Sequence, residues 1–147
     1  MKKLSLLLLS IACIFSVTTM DAAKAKKSKT AKADKAFNAG KYAPAADLYK
    51  KAYGKQKSKL VKAEIAYKAA ECYSKMSNSK EALNWYEKSA KDNGKNPDAV
   101  LKYAQALKTN GRYDEAVAQF NAFKALEPGD NRGQDGAGLA SIKFEVE

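Results

Sequence analysis

The chain has 147 residues, enough for one domain with a modest core, and its 27 Lys and Arg against 16 Asp and Glu give a formal net charge of +11. It contains no histidine, which excludes histidine general bases, Ser-His and Cys-His nucleophile pairs and His-containing zinc sites. The positive charge is local: residues 24–62 hold 13 Lys and 2 acidic residues, whereas residues 63–147 hold 12 basic and 13 acidic residues.

Residues 1–25 are predicted to be a secretory signal peptide. Lys2 and Lys3 precede the uncharged apolar run LSLLLLSIACIFSV, and Ala23-Lys24-Ala25 has the small-x-small pattern of a cleavage site. Two alternatives stay open, a lipoprotein signal in which Cys13 carries the lipid and an uncleaved membrane anchor, for which the apolar run is slightly short. All three interpretations place the protein outside the cytoplasm.

Residues 26–35 are predicted to be a basic disordered arm that becomes helical near Ala33 to Phe37. The segment KAKKSKTAKADK, residues 24–35, contains no large apolar side chain, so it cannot bury enough surface to offset its chain entropy. Cys72, the one cysteine after the signal segment, lies in the apolar-periodic run AEIAYKAAECYSKM. It is predicted to be a small buried residue rather than a reactive or metal-binding thiol.

A seven-residue turn occurs three times, as AGKYAPA, MSNSKEA and NGRYDEA, and each copy ends on an alanine. The steps from Ala45 to Ala82 and from Ala82 to Ala116 are 37 and 34 residues, and 34 is the period of the tetratricopeptide repeat, a helix-turn-helix unit. The third copy is the clearest, with Ala104 where the first helix needs a small residue and Phe120 four residues after Ala116. Each turn is therefore predicted to be the elbow of an antiparallel helix pair.

Punctuation between the copies places the other boundaries. Asn96-Pro97-Asp98 supplies a cap, a first-position proline and an acidic residue, which predicts a helix over residues 97–109. The 37-residue step places three extra residues near GKQKSK, after the first pair. After Asp130 a weak helix is predicted from about Gln134 to Lys143, with Ala137 and Gly138 packing on the third pair.

Residues 36–130 resemble the tetratricopeptide repeat family and, more narrowly, the N-terminal repeat region of outer-membrane-protein-A family proteins of Gram-negative envelopes. The fold class that follows is an all-α solenoid of about three helix-turn-helix units. Residues 131–147 add a capping helix or the start of a further repeat. The resemblance implies a location in the periplasm or on the periplasmic side of the outer membrane. Peptidoglycan binding is not implied, because the residues that perform it in the family are not in this chain.

The candidate binding surface is the concave face formed by the first helix of each pair, whose side chains are free of core duties. Helical geometry predicts that Glu64, Tyr67, Glu71, Ser74, Lys75, Asp98, Leu101, Gln105 and Lys108 line it. No catalytic, cofactor or metal site is predicted, and acidic side chains such as Glu71 and Glu87 are interpreted as solvated ion-pair faces with lysines one turn away.

The predicted function is an exported, non-enzymatic scaffold that binds an envelope protein or peptide segment, as part of an outer-membrane or secretion-associated assembly. Nucleic acid is not an expected partner, because the aromatic residues fall on repeat-core positions. The alternative is a surface binder in which the basic arm attaches to anionic lipid or cell-wall polymer and the repeats act as a spacer.

Overall fold

The computed structural model describes the backbone of residues 30–146 and the side chains of residues 30–142. The predicted signal peptide, Cys13 and residues 26–29 of the predicted arm lie outside the described residues. Within the described part, seven α-helices follow one another and there is no strand. The helices are α1 Ala31–Asn38, α2 Tyr42–Gly54, α3 Lys59–Lys75, α4 Ser79–Asp92, α5 Pro97–Thr109, α6 Tyr113–Leu126 and α7 Asn131–Val146.

The three repeated turns close in the same way. One residue of each turn has a positive φ, 71° at Gly40, 56° at Ser77 and 75° at Gly111. In each turn the next residue donates its backbone N–H to a carbonyl five residues earlier, at 2.9–3.0 Å, which is the closing bond of a helix C-terminus that ends in a left-handed residue. The chain therefore reverses at the same point in every pair, five residues before the alanine.

Small residues bring the two helices of each pair together. Ala45, Ala82 and Ala116 on the second helices are at most 4% exposed, and Ala70 and Ala104 on the first helices are fully buried. Each helix packs on the next one along the chain, so the core is a continuous stack of neighbouring helices. Cys72 is a buried free thiol whose burial raises its pKa to about 11, which confirms the prediction of a structural role.

Helix α1 begins at Ala31, inside the segment that was predicted to be a disordered arm, so that prediction is wrong for residues 31–35. Ala33 is 1% exposed and occupies the position that Ala70 and Ala104 occupy in the later pairs. Asp34 adds a polar anchor, since it accepts hydrogen bonds from Tyr49 Oη and Lys68 Nζ, both at 2.7 Å. A small contact residue and a bonded carboxylate hold this short helix where large apolar side chains are scarce.

The three extra residues between the first and second pairs lengthen α3 at its start. Ala63 corresponds to Pro97 by the 34-residue step, but α3 begins four residues before Ala63 whereas α5 begins at Pro97. Residues 59–62 therefore form an additional N-terminal turn of α3.

Helix α7 is longer than predicted and uses another face. It begins at Asn131, and its buried residues are Gly133, Gly136 and Ala140, whereas Gly138 is exposed. A side chain at Gly133 would place a Cβ 2.8 Å from Phe123 Cδ1, and one at Gly136 would overlap the ring of Phe120. The glycines that were expected only to weaken this helix therefore allow it to lie directly on α6. None of the helices in residues 30–146 has the length and apolar content needed to cross a bilayer.

Candidate functional site

Three adjoining pockets follow the side of the solenoid formed by α1, α3, α5 and α7, and we call them together the concave groove. The first, of about 470 Å³, is lined by Asp34, Phe37, Asn38, Tyr49, Tyr67, Lys68 and Glu71. The middle one, of about 360 Å³, is lined by Ser74, Ser77, Ser79, Ala82, Tyr86, Lys102, Gln105, Ala106, Thr109 and Asn110. The third, of about 410 Å³, is lined by Lys108, Thr109, Tyr113, Leu139 and Ile142.

A repeated polar contact runs along the floor of this groove. In the first pair, Asp34 accepts a hydrogen bond from Tyr49 on α2 and pairs with Lys68 on α3, at 2.7 Å. In the second pair, Glu71 accepts a hydrogen bond from Tyr86 on α4 and faces Lys102 on α5, at 3.8 Å. Both acids lie 15 residues before their tyrosine partners. The contact therefore recurs with the repeat, and each lysine joins one pair to the next.

The contact is not repeated in the third pair. Gln105 occupies the position of Glu71, Phe120 replaces the tyrosine, and Gly136 stands 34 residues after Lys102. Among residues 30–142 no hydrogen bond engages the side chain of Gln105, which is exposed in the middle pocket. The groove therefore has a spare amide where its first two units have bonded carboxylates.

The same contacts change the ionisation of the groove. Burial raises the pKa of Tyr86, and the hydrogen bond to Glu71 raises it further, so this hydroxyl stays protonated and donates. Burial, with the nearby charges of Glu71 and Asp98, raises the pKa of Tyr67 to about 12. Burial also raises the pKa of Asp34, but hydrogen bonds from its three partners outweigh that effect and leave it below the ordinary value. The groove therefore presents neutral tyrosines and ionised carboxylates near neutral pH.

Five of the nine residues predicted to line the concave face line these pockets. Tyr67 and Glu71 lie in the first pocket, Ser74 and Gln105 in the middle one and Lys108 in the third. Glu64, Lys75 and Asp98 are exposed but line none of the three.

Leu101 is the exception, because it is 2% exposed and belongs to the core. The prediction that it offers an apolar contact is wrong. Helix α5 is covered by α7 as well as by α4 and α6, so less of its surface is free than a lone helix pair would leave. The exposed apolar surface instead comes from α7, where Leu139 is 56% and Ile142 is 59% exposed.

Sequence reasoning missed the contribution of α1 and one position on each later first helix. Asp34, Phe37 and Asn38 were left out because the first helix was assigned to a disordered arm. Lys68 and Lys102 were left out although they are 34 residues apart. Aligning Ala33 with Ala70 and Ala104 would have found α1, since the small contact residue is present in all three copies.

Chemical catalysis has little support among the described residues. No group of three or more cysteine or acidic side chains there is arranged to hold a metal ion. The carboxylates in the groove are engaged by lysine and tyrosine, which is an arrangement for stability rather than for proton transfer. What the groove offers is a long, mixed-polarity surface.

The family model for the tetratricopeptide repeat matches residues 38–127, more than half of the chain. The chain belongs to the tetratricopeptide repeat family. This result confirms the repeat prediction; it does not extend to the narrower resemblance to outer-membrane-protein-A family proteins. No curated protein matches the sequence at a significant level.

Solved structures show the same fold at low sequence identity. The tetratricopeptide protein YrrB, described as having an unusual peptide-binding site, matches with a TM-score of 0.70 and 21% identity over 80% of this chain. The match spans 59% of YrrB. The second tetratricopeptide domain of human RPAP3, solved with an HSP70 peptide, gives 0.67 and 21% identity over 78% of this chain and 92% of its own. The first such domain of Spaghetti (RPAP3), bound to an HSP90 peptide, gives 0.65 and 19% over 80% and 90%.

Proposed function

We propose that this protein is a non-enzymatic scaffold that binds an extended or helical segment of another protein in the concave groove. The observation that carries the proposal is the end of the polar contact at Gln105. The middle pocket there combines an unengaged amide with Ser74, Thr109 and the ammonium of Lys102. Peptide backbones carry one donor and one acceptor per residue, so a groove with spare polar groups suits them.

The third pocket supplies the apolar part of the binding surface. Leu139 and Ile142 are more than half exposed and lie beside Lys108 and Tyr113. A segment lying along the groove would place polar groups near Gln105 and an apolar side chain on α7. The peptides held by the RPAP3 and Spaghetti domains support this use of the fold, although at about 20% identity they do not identify the ligand.

The proposed location is the Gram-negative cell envelope, with the partner being another envelope protein. This part rests on the signal-like residues 1–25 and on the resemblance of the repeats to envelope proteins. An exported adaptor needs a free groove and a partner on the same side of the membrane. The proposal includes membrane association through the partner or, if Cys13 is lipidated, through the lipid.

Site-specific photo-crosslinking tests the proposal. Residues 26–147 carrying a photoreactive amino acid at Gln105, in the groove, or at Asn121, on the outer surface of α6, are incubated with solubilised envelope extract and irradiated. We expect one dominant envelope protein to crosslink at Gln105 and not at Asn121. Crosslinking only at Asn121, or only to cytosolic proteins when whole-cell extract is used, would contradict the proposal.

The alternative of a basic arm that attaches to a surface is separated by a deletion that spares α1. A deletion of residues 26–35 would remove Asp34 and most of the first helix turns, so loss of binding would have two explanations. A deletion of residues 26–29 removes Lys26, Lys27 and Lys29 and leaves the described fold complete. The adaptor should keep its crosslinked partner after this deletion.

A further inference from the structure

The extra turn at the start of α3 exposes a leucine in a lysine-rich surface. Leu60 is 57% exposed, while its neighbour Val61 is half-buried and packs against the core. Ala63 and Ile65, further along the helix, are buried. The turn is therefore held to the fold through Val61, and Leu60 points away from it.

Positive charge surrounds this leucine in sequence and in space. Between Leu48 and Ala63 there are six lysines and no acidic residue: Lys50, Lys51, Lys55, Lys57, Lys59 and Lys62. We call Leu60 with these six lysines the α3 basic patch. Helices α4, α5 and α6 each have an acidic residue in their first turn, but α3 has none. Lys59 and Lys62 instead add positive charge to the positive end of the helix dipole.

The patch is ordered by local contacts. Gln56 Oε1 accepts hydrogen bonds from the backbone N–H groups of Lys57, at 2.9 Å, and Ser58, at 3.4 Å. Lys62 Nζ lies 4.4 Å from the centre of the Tyr53 ring, and Tyr53 donates its hydroxyl hydrogen bond to Asp92. These contacts fix the loop and the extra turn relative to α2 and α4.

We propose that the α3 basic patch docks on the anionic surface of a lipid bilayer. Lysines attract anionic headgroups, and a leucine at their centre can enter the apolar region beneath them. A purely electrostatic partner such as nucleic acid would use the lysines but gain nothing from Leu60. A single leucine gives reversible binding, and salt weakens the attraction of the exposed lysines.

Docking at this patch leaves the concave groove available. Lys68, the groove residue of α3 nearest to Leu60 in sequence, is eight residues away, about 12 Å along the helix. The proposal therefore goes beyond the proposed scaffold function and does not depend on the peptide-binding groove. It also uses residues other than the predicted arm.

Vesicle sedimentation tests the proposal with residues 30–147, which contain all seven helices and the core that they bury. Vesicles of phosphatidylcholine alone are compared with vesicles that also contain phosphatidylglycerol. We expect binding to the anionic vesicles only, and weaker binding as salt is added. Leu60→Ser should weaken it about tenfold, since the leucine side chain no longer leaves water. Leu139→Ser, which alters an equally exposed leucine on α7, should leave it unchanged.

A charge pair provides the second comparison. Lys57→Gln with Lys59→Gln should weaken binding about thirtyfold, because each lysine near an anionic surface contributes attraction. Lys80→Gln with Lys124→Gln removes the same charge from exposed positions elsewhere and should have a much smaller effect. Circular dichroism checks that each variant is folded.

Four results would overturn the proposal. They are no binding of the unaltered protein to anionic vesicles, no effect of Leu60→Ser, equal effects of the two lysine pairs, and tighter binding to a short DNA duplex than to the anionic vesicles. The third would show that net charge alone causes the attraction. The fourth would assign the patch to nucleic acid.

Discussion

Glu71 shows how a single side chain in the groove can serve the fold instead of a ligand. Its partners are Tyr86, from the second helix of its own pair, and Lys102, from the next pair. The sequence interpretation of a solvated face with lysines one turn away is correct for Glu87, whose carboxylate lies 2.6 Å from Lys91 Nζ. It is wrong for Glu71, because contacts between repeats follow the 34-residue spacing rather than the helical turn.

Asp34 provides a test of this contact in the first pair. Its carboxylate has a lowered pKa in the folded protein, so its stabilising contribution is present above the unfolded pKa and is lost as the pH falls through the lower folded value. At neutral pH, Asp34→Ala should lower the free energy of unfolding by about 1–2 kcal/mol, because Tyr49 and Lys68 lose their acceptor. Below about pH 4 the difference from the unaltered protein should shrink.

Denaturant titrations across this pH range measure the effect, and Asp47→Ala is the matched control. Asp47 is an exposed acid on α2, so its removal should change stability by less than about 0.5 kcal/mol. Equal effects of the two substitutions would show that Asp34 does not anchor α1.

Ser77 is the one residue of the three repeated turns that carries a side chain in the left-handed region, with φ of 56°. Gly40 and Gly111 take the same conformation without that strain. Ser77→Gly should therefore raise the free energy of unfolding by about 0.5–1 kcal/mol, the strain relieved less the added chain entropy. Ser74→Gly, one turn earlier in α3, should lower it by about 0.5 kcal/mol, since glycine is a poor helix former. A loss of stability in both variants would contradict the turn geometry.

At the scale of the helices, the sequence predicts best where punctuation is strong. The bounds of α5 are predicted correctly because Asn96 caps its start, Pro97 fixes its first residue and Gly111 follows its end. Helices α1 and α7 are predicted poorly because they have few large apolar residues. Their positions depend on partners distant in sequence, Lys68 for α1 and Phe120 for α7, and no local pattern reports those contacts.

Helix α7 offers a test of close helix packing. Gly136→Ala adds a methyl group that would overlap the buried ring of Phe120, so it should lower the free energy of unfolding by about 1–3 kcal/mol. Gly138→Ala adds the same group on the same helix where no atom lies within 4 Å, and it should raise stability by up to about 1 kcal/mol. Thermal unfolding of the two variants measures the difference. Equal stabilisation would mean that α7 does not pack on α6 through its glycines.

For the whole molecule, charge and shape separate two surfaces. The α3 basic patch lies in the positively charged first third of the chain, whereas the groove mixes bonded acids, lysines and amides. The sequence predicts that the first helices line the groove, because the repeat assigns their core positions. It does not predict which lining residues are already bonded to each other, since those bonds depend on how one pair stacks on the next.

That distinction decides how the groove is tested. Glu71→Lys with Gln105→Lys would remove the acceptor of Tyr86 and bring two ammonium groups together near Lys102, so lost binding would have a structural explanation. Gln105→Lys alone changes the charge of the middle pocket at an exposed side chain with no described hydrogen bond. Asn121→Lys makes the same change of charge at an exposed position of α6.

We expect Gln105→Lys to abolish recovery of the envelope partner from solubilised membranes and Asn121→Lys to preserve it. Both variants should keep the free energy of unfolding within about 0.5 kcal/mol of the unaltered protein, because both side chains are at the surface. Affinity capture followed by quantification of the crosslinked partner measures the first effect, and denaturant unfolding measures the second. If Asn121→Lys abolishes recovery and Gln105→Lys does not, the partner binds the surface formed by the second helices, and the fold is right while the groove assignment is wrong.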